Sequence, residues 1–96
     1  METKLEKLAL VINRRDNVGT AKSQLDIGDR LIYDKDLIVV KEKIPFGFKF
    51  ALYDIDIGVP IIKFGKKIGI ATSKIRQGEL VHVHNISSYS RKDSLS

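Results

Sequence analysis

The chain has 96 residues, 43% of them apolar, and a formal net charge of +5. That is one domain with a thin core rather than two domains, and it is too apolar to be disordered. The absence of cysteine excludes disulfides, thiolate metal sites and cysteine nucleophiles, and the basic residues are dispersed among acids rather than set in an aromatic-rich basic strand, so no nucleic-acid partner is expected.

Met1 to Lys7 is polar, and residues 1–7 are expected to form a flexible N-terminus. Leu8 to Ile12 reads as a first, mostly buried strand. The run is too short for a membrane span or a secretory core segment, so the expectation is no membrane partner and a cytoplasmic location. Turn formers follow from Asn13 to Asn17. Asp16-Asn17 is either a surface turn bonded to its own backbone or a carboxylate and an amide presented at a strand end. Val18 to Gln24 reads as a short helix or a loop.

Next comes a recurring skeleton: an aliphatic residue, two further residues, then glycine. It stands at Leu25–Gly28, Ile44–Gly47, Ile55–Gly58 and Ile75–Gly78. Leu25 and Ile55 are as far apart as Ile44 and Ile75 to within one residue, which hints at two related halves. In each unit the aliphatic side chain plugs the core while the chain reverses, and the glycine takes a positive-φ position. Four such corners imply an all-β fold of many short strands.

Between the corners, Leu37 to Lys41 reads as a strand. Phe46, Phe48, Phe50 and Leu52 alternate onto one face, and Pro45 puts the start of that segment at Pro45 or at a sheet edge. Pro60 to Phe64 reads as another strand. Gly65 and Gly69 bracket a tight hairpin with a close backbone approach at its far side. Lys66 and Lys67 between them do not make a phosphate loop, because no amphipathic helix follows.

Gly78 to Asn85 alternates as a half-buried strand, with Val81 and Val83 toward a core and His82 and His84 facing away together. Same-face strand neighbours lie about 6.6 Å apart at Cα, so the only two histidines of the chain could converge on one metal ion or one anion, or simply form a solvated face. From Ser87 onward the sequence is a polar tail.

The segments Ile44-Pro45-Phe46-Gly47-Phe48-Lys49, Pro60-Ile61-Ile62-Lys63-Phe64-Gly65, Ile68-Gly69, Ala71-Thr72 and Val81-His82-Val83-His84-Asn85, with Ile12-Asn13 and Asp16-Asn17-Val18 upstream, resemble the SAF domain of the altronate and galactarate dehydratase family. The resemblance implies an SAF-type β-clip over residues 8–88, followed by a C-terminal tail, 89–96. It implies a small subunit of a hydro-lyase that removes water from an aldonate or aldarate, inactive alone and completed by a large catalytic subunit. A sulfolactate sulfo-lyase small subunit and a non-catalytic carbohydrate-binding or interaction module are the alternatives. A homo-oligomer is compatible with each.

In that reading His82, His84 and Asp16 are the catalytic candidates. His82 and His84 contribute to a site for the substrate carboxylate or for a divalent metal, for which imidazole and carboxylate ligands suit iron, manganese or zinc, with iron or manganese taken first, and Asn85, Asn17 and Lys49 bond substrate oxygens. One departure stands out. Phe48 occupies a position where the family carries histidine, and the strand pattern accounts for it as an extension of the aromatic face.

Overall fold

The computed structural model describes residues 2–88. They form β1 (Glu2–Lys4), a 3-10 turn (Leu5–Lys7), β2 (Ala9–Leu10), β3 (Val18–Ala21), β4 (Arg30–Tyr33), β5 (Asp36–Val39), β6 (Lys49–Ala51), β7 (Pro60–Lys63), β8 (Lys66–Ala71), β9 (Leu80–Val81) and β10 (Ile86–Ser88). The chain is all-β. Its strands make three small sheets, β1-β4-β5, β10-β8-β7 and β2-β3-β6-β9, and every pairing is antiparallel except β1 with β4.

The four corners organise this architecture. Leu25, Ile44, Ile55 and Ile75 are fully buried. They pair in two bridges. Leu25 and Ile44 exchange backbone hydrogen bonds of 2.8 and 2.9 Å, and Ile55 and Ile75 exchange bonds of 2.7 and 2.8 Å. At each corner a turn closes across the glycine, from Asp29 to Asp26, Phe48 to Pro45, Val59 to Asp56 and Glu79 to Arg76. The glycines at 28, 47, 58 and 78 have φ between 84° and 91°, the value a type II turn needs at its third residue.

The two halves hinted at by the corner spacing are real. The first runs from β3 through the β4–β5 hairpin to β6, and the second from β6 through the β7–β8 hairpin to β9. The hairpin tips carry the only positive-φ non-glycine residues described, Asp34 (58°) and Phe64 (54°), at matching places. Gly47 N–H reaches Ala21 O in the first half, and Gly78 N–H reaches Ala51 O in the second.

The β2-β3-β6-β9 sheet is the wall between two cores. One face carries Ala9, Ala21 and Phe50 into a core with Leu5, Leu31 and Ile38. The other carries Val18, Ala51 and Val81 into a core with Ile55, Ile61 and Ile75. This follows from the two-residue side-chain period of strands whose two faces are both covered.

Several local expectations are corrected. Within the N-terminal segment, Glu2–Lys4 pairs with β4 and Leu5 is buried, because an aliphatic residue within reach of the first core is worth docking. Leu8 to Ile12 is not mostly buried. Only Ala9–Leu10 is strand, Leu10 and Ile12 are exposed, and β2 is a sheet edge. Val18–Ala21 is a strand, neither the helix nor the loop expected. Phe46 leaves the aromatic face. It is the second residue of a corner turn and 72% exposed, so turn geometry overrides the alternation that places Phe50 and Leu52 inside. A tight hairpin forms, but it turns at Phe64-Gly65 rather than between Gly65 and Gly69, because Lys66 already pairs with Lys63 in β8; the close approach does occur at Gly69, where an added Cβ would lie 2.6 Å from the Ser87 carbonyl. Ser87 and Ser88, read as the start of the polar tail, belong to β10 and pair with β8, and the tail at 89–96 lies outside the described residues.

Candidate functional site

The loop after β9 is built by Asn85. Its Oδ1 accepts the His82 backbone N–H at 2.9 Å, and its Nδ2 donates to Leu80 O at 2.8 Å. Its own N–H and that of Ile86 both reach His82 O, at 3.0 and 3.2 Å. This buried amide folds the segment into a tight turn, so the strand expected from Gly78 to Asn85 is confined to Leu80–Val81. Val81 is buried as expected, whereas Val83 is 78% exposed at the turn. The two imidazoles have different settings. His82 is half-buried against Phe48, with ring centroids 4.7 Å apart at 46°, and His84 is exposed. Phe48 itself packs on the first core, so its ring supports His82 from beneath.

Asp16 is 1% exposed. Its Oδ2 accepts the amides of Ile12 (3.2 Å) and Asn13 (3.1 Å), and its Oδ1 accepts that of Gly65 (2.8 Å). Burial alone would raise its pKa, but the backbone amides of Gly65, Asn13, Ile12 and Phe64 outweigh that, and the carboxyl lies below its ordinary value. Asn17 works similarly: Nδ2 donates to Pro60 O at 2.9 Å and Oδ1 accepts Ile62 N–H at 2.8 Å. Asp16 and Asn17 thus pin the loop after β2 onto the β7–β8 hairpin. The surface-turn reading of this pair therefore holds only in part. The side chains bond backbone, as a turn's would, but across distant segments and out of solvent.

Lys49 is half-buried, and burial first, then the nearby Lys63 ammonium, push its pKa down. An open cleft of about 480 Å³ lies elsewhere, lined by Glu6, Arg14, Tyr33, Asp34 and Tyr53, none of them an expected site residue. The Tyr33 and Tyr53 rings are 6.4 Å apart, and burial, then Tyr53, raise the Tyr33 pKa.

Among the described residues the donor set does not fit a metal. Among the described residues no three His, Asp or Glu side chains are grouped to hold an ion, and the Asp16 oxygens already serve backbone amides. Nor does any helix of the described residues have the length and apolarity to cross a membrane.

Residues 7–89 match the altronate/galactarate dehydratase SAF domain family. The chain belongs to that family. Its relatives include the altronate dehydratases of Escherichia coli strain K12, 38% identical over 74 residues, and of Bacillus subtilis strain 168, 39% identical over 79 residues. Those alignments cover 77% and 82% of this chain but only 15% and 16% of the two dehydratases. The (2R)-sulfolactate sulfo-lyase subunit alpha of Chromohalobacter salexigens is 45% identical over 71 residues, which is 73% of this chain and 76% of that subunit. In the relatives, the SAF domain is thus a minor portion of a large dehydratase or most of one subunit of a lyase.

Proposed function

We propose that this chain is the SAF component of a β-eliminating lyase acting on a 2-hydroxy carboxylate, with its active site completed by a larger catalytic polypeptide. The observation that carries the reading is the family match over nearly the whole chain, in a fold with too little interior to enclose a ligand. A usual ligand pocket buries most of its occupant in a few hundred Å3, whereas both interior spaces here are filled by apolar side chains, Phe50 among them, and the cleft beside Tyr33 and Tyr53 is open to solvent.

The named relatives share one chemistry. Altronate loses water and sulfolactate loses its sulfo group from the carbon next to the one bearing the hydroxyl and carboxylate. A proton leaves that α-carbon, and negative charge gathers on the carboxylate oxygens, where fixed cations favour it. The preferred substrate is a sugar acid, an aldonate or aldarate. A sulfolactate-type substrate is the second reading, favoured by the 45% identity to the sulfo-lyase subunit.

Within this chain His84, exposed, and His82, braced on Phe48, form the surface offered to the larger polypeptide. Asp16, Asn17 and Asn85 position the two loops. A divalent ion, iron or manganese, would have to take most of its ligands from the larger polypeptide. The test is reconstitution of the 96-residue chain with a large lyase chain, assayed on altronate, galactarate and sulfolactate. The expected outcome is no turnover by the chain alone and turnover of one substrate by the complex. Turnover by the chain alone, or a complex inactive on all three, overturns the reading.

A further inference from the structure

Thr20 poses a physical problem. Its Oγ1 is the buried side-chain oxygen left without a hydrogen-bond partner among the described residues. Such a group costs about 1–3 kcal/mol and calls for an explanation. The β3–β6 register sets Thr20 directly opposite Lys49. The flanking bonds, Ala21 N–H to Phe48 O and Leu52 N–H to Asn17 O, each 2.9 Å, fix the phase of the ladder. Thr20 and Lys49 therefore form a non-hydrogen-bonded pair, the kind whose side chains stand closest, with Cβ atoms about 4.5–5.5 Å apart. Both project from the face that carries Val18, Ala51 and Val81, just beyond the rim of the second core.

Lys49 is half-buried, yet among the described residues neither ion pair uses it. Lys63, two residues past the buried Ile61, lies near enough for its charge to act on Lys49, and its ammonium rests 5.0 Å from the Phe64 ring centroid. Two cations with no ion-pair partner among the described residues and an idle hydroxyl donor therefore lie together where β7 of the neighbouring sheet abuts the β3–β6 pair. A partly buried cation without an anion is unfavourable, and an anionic ligand would relieve both defects together.

We propose that Thr20, Lys49 and Lys63 form a binding site for a small organic carboxylate, with Thr20 Oγ–H donating to one oxygen and the two ammonium groups flanking the charge. The site deepens the lyase reading and rests on it for its biological ligand: it would seat the substrate carboxylate on which negative charge builds as the α-proton leaves. It lies on the face of the sheet opposite Phe48, which packs into the first core and braces His82, so it is separate from the histidine turn.

The test is titration of the full-length isotope-labelled chain with sodium lactate, the minimal 2-hydroxy carboxylate, against sodium chloride at matched ionic strength. Saturable amide shifts at Thr20, Lys49 and Lys63 are expected with lactate only. Thr20→Val, which keeps the shape and removes the hydroxyl, should weaken binding about fivefold, Thr20→Ser should restore it, and Lys49→Met should weaken it about tenfold or more. Lys66→Met, on the exposed hairpin, should leave it unchanged. Binding by Thr20→Val equal to that of the unaltered chain, or shifts spread without saturation over the surface lysines, overturns the site. Lactate binding with no lyase activity in any reconstituted complex keeps the site and removes the lyase reading. An active complex whose KM ignores Thr20→Val and Lys49→Met does the reverse.

Discussion

Asp16 shows how a residue that reads as catalytic can serve the fold. Its two oxygens accept three backbone N–H groups from two segments far apart in sequence. Asp16→Asn turns an amide nitrogen toward donors and leaves at least one of them unpaired in a buried place, at a cost of about 2 kcal/mol. The pH dependence has a definite sign. The folded-state pKa lies below the ordinary 3.8, so the stabilisation is complete above that value and fades as pH falls through the folded one. Urea midpoints of the parent and the Asn variant should therefore differ most near neutrality and converge as pH falls below the folded-state pKa. A gap that stays constant with pH would show that the carboxylate charge contributes nothing. Asn85 makes the same point from the other end of the chain. In the sequence it is the last letter of a His-x-His-Asn motif, and in the structure it is the bracket that makes the histidine turn.

The corners are where sequence and structure agree most closely, because their requirements are local: an aliphatic plug, a reversal and a glycine with positive φ. Their consequences differ with surroundings. At Gly58, φ is 86° and an added Cβ would meet nothing within 4 Å, so Gly58→Ala should cost only backbone strain, about 1 kcal/mol. At Gly78, φ is 89° and the Cβ would collide with the Val39 carbonyl oxygen of the neighbouring half. Gly78→Ala should cost about 3 kcal/mol or more, since backbone cannot step aside as a flexible side chain can. Thermal denaturation of the two variants checks the contrast, and equal losses would mean that the close approach carries no weight. The elements that were misread are those whose outcome is set at a distance. Alternation from Gly78 to Asn85 satisfies a strand pattern equally well, and only the Asn85 bonds to Leu80 and His82 end it early. Phe46 is drawn out of its aromatic row by the corner it belongs to. Thr20 carried no signal at all, because a threonine in a strand is ordinary until its hydroxyl is found without a partner.

At the scale of the whole molecule, the duplication of halves raises the question of whether each is a folding unit. The geometry says that neither is. β6 belongs to both halves, and its sheet is the wall on which both cores rest. The halves are also cross-tied: Lys41 N–H bonds Gly78 O, the Lys41 ammonium bonds Gln77 O at 2.8 Å, and Leu80 N–H bonds the Glu42 carboxylate at 2.9 Å. Removing the second half would strip one face of the shared sheet, expose Val18 and Ala51, and leave the first core open at one wall. Small sheets with an uncovered apolar face are at best marginal in water. Unfolding should therefore be a single transition, with Tyr33 in the first half and Ile75 in the second reporting the same urea midpoint by residue-resolved NMR. A fragment ending at Leu52 should lack dispersed amide resonances. Separate midpoints, or a folded fragment, would mean that the shared strand does not couple the halves. That coupling bears on function as well. Such coupling would keep the histidine turn and the Thr20–Lys49 corner, on opposite faces of one sheet, at a fixed spacing, so that a larger polypeptide embracing that sheet would meet both without having to order them on binding.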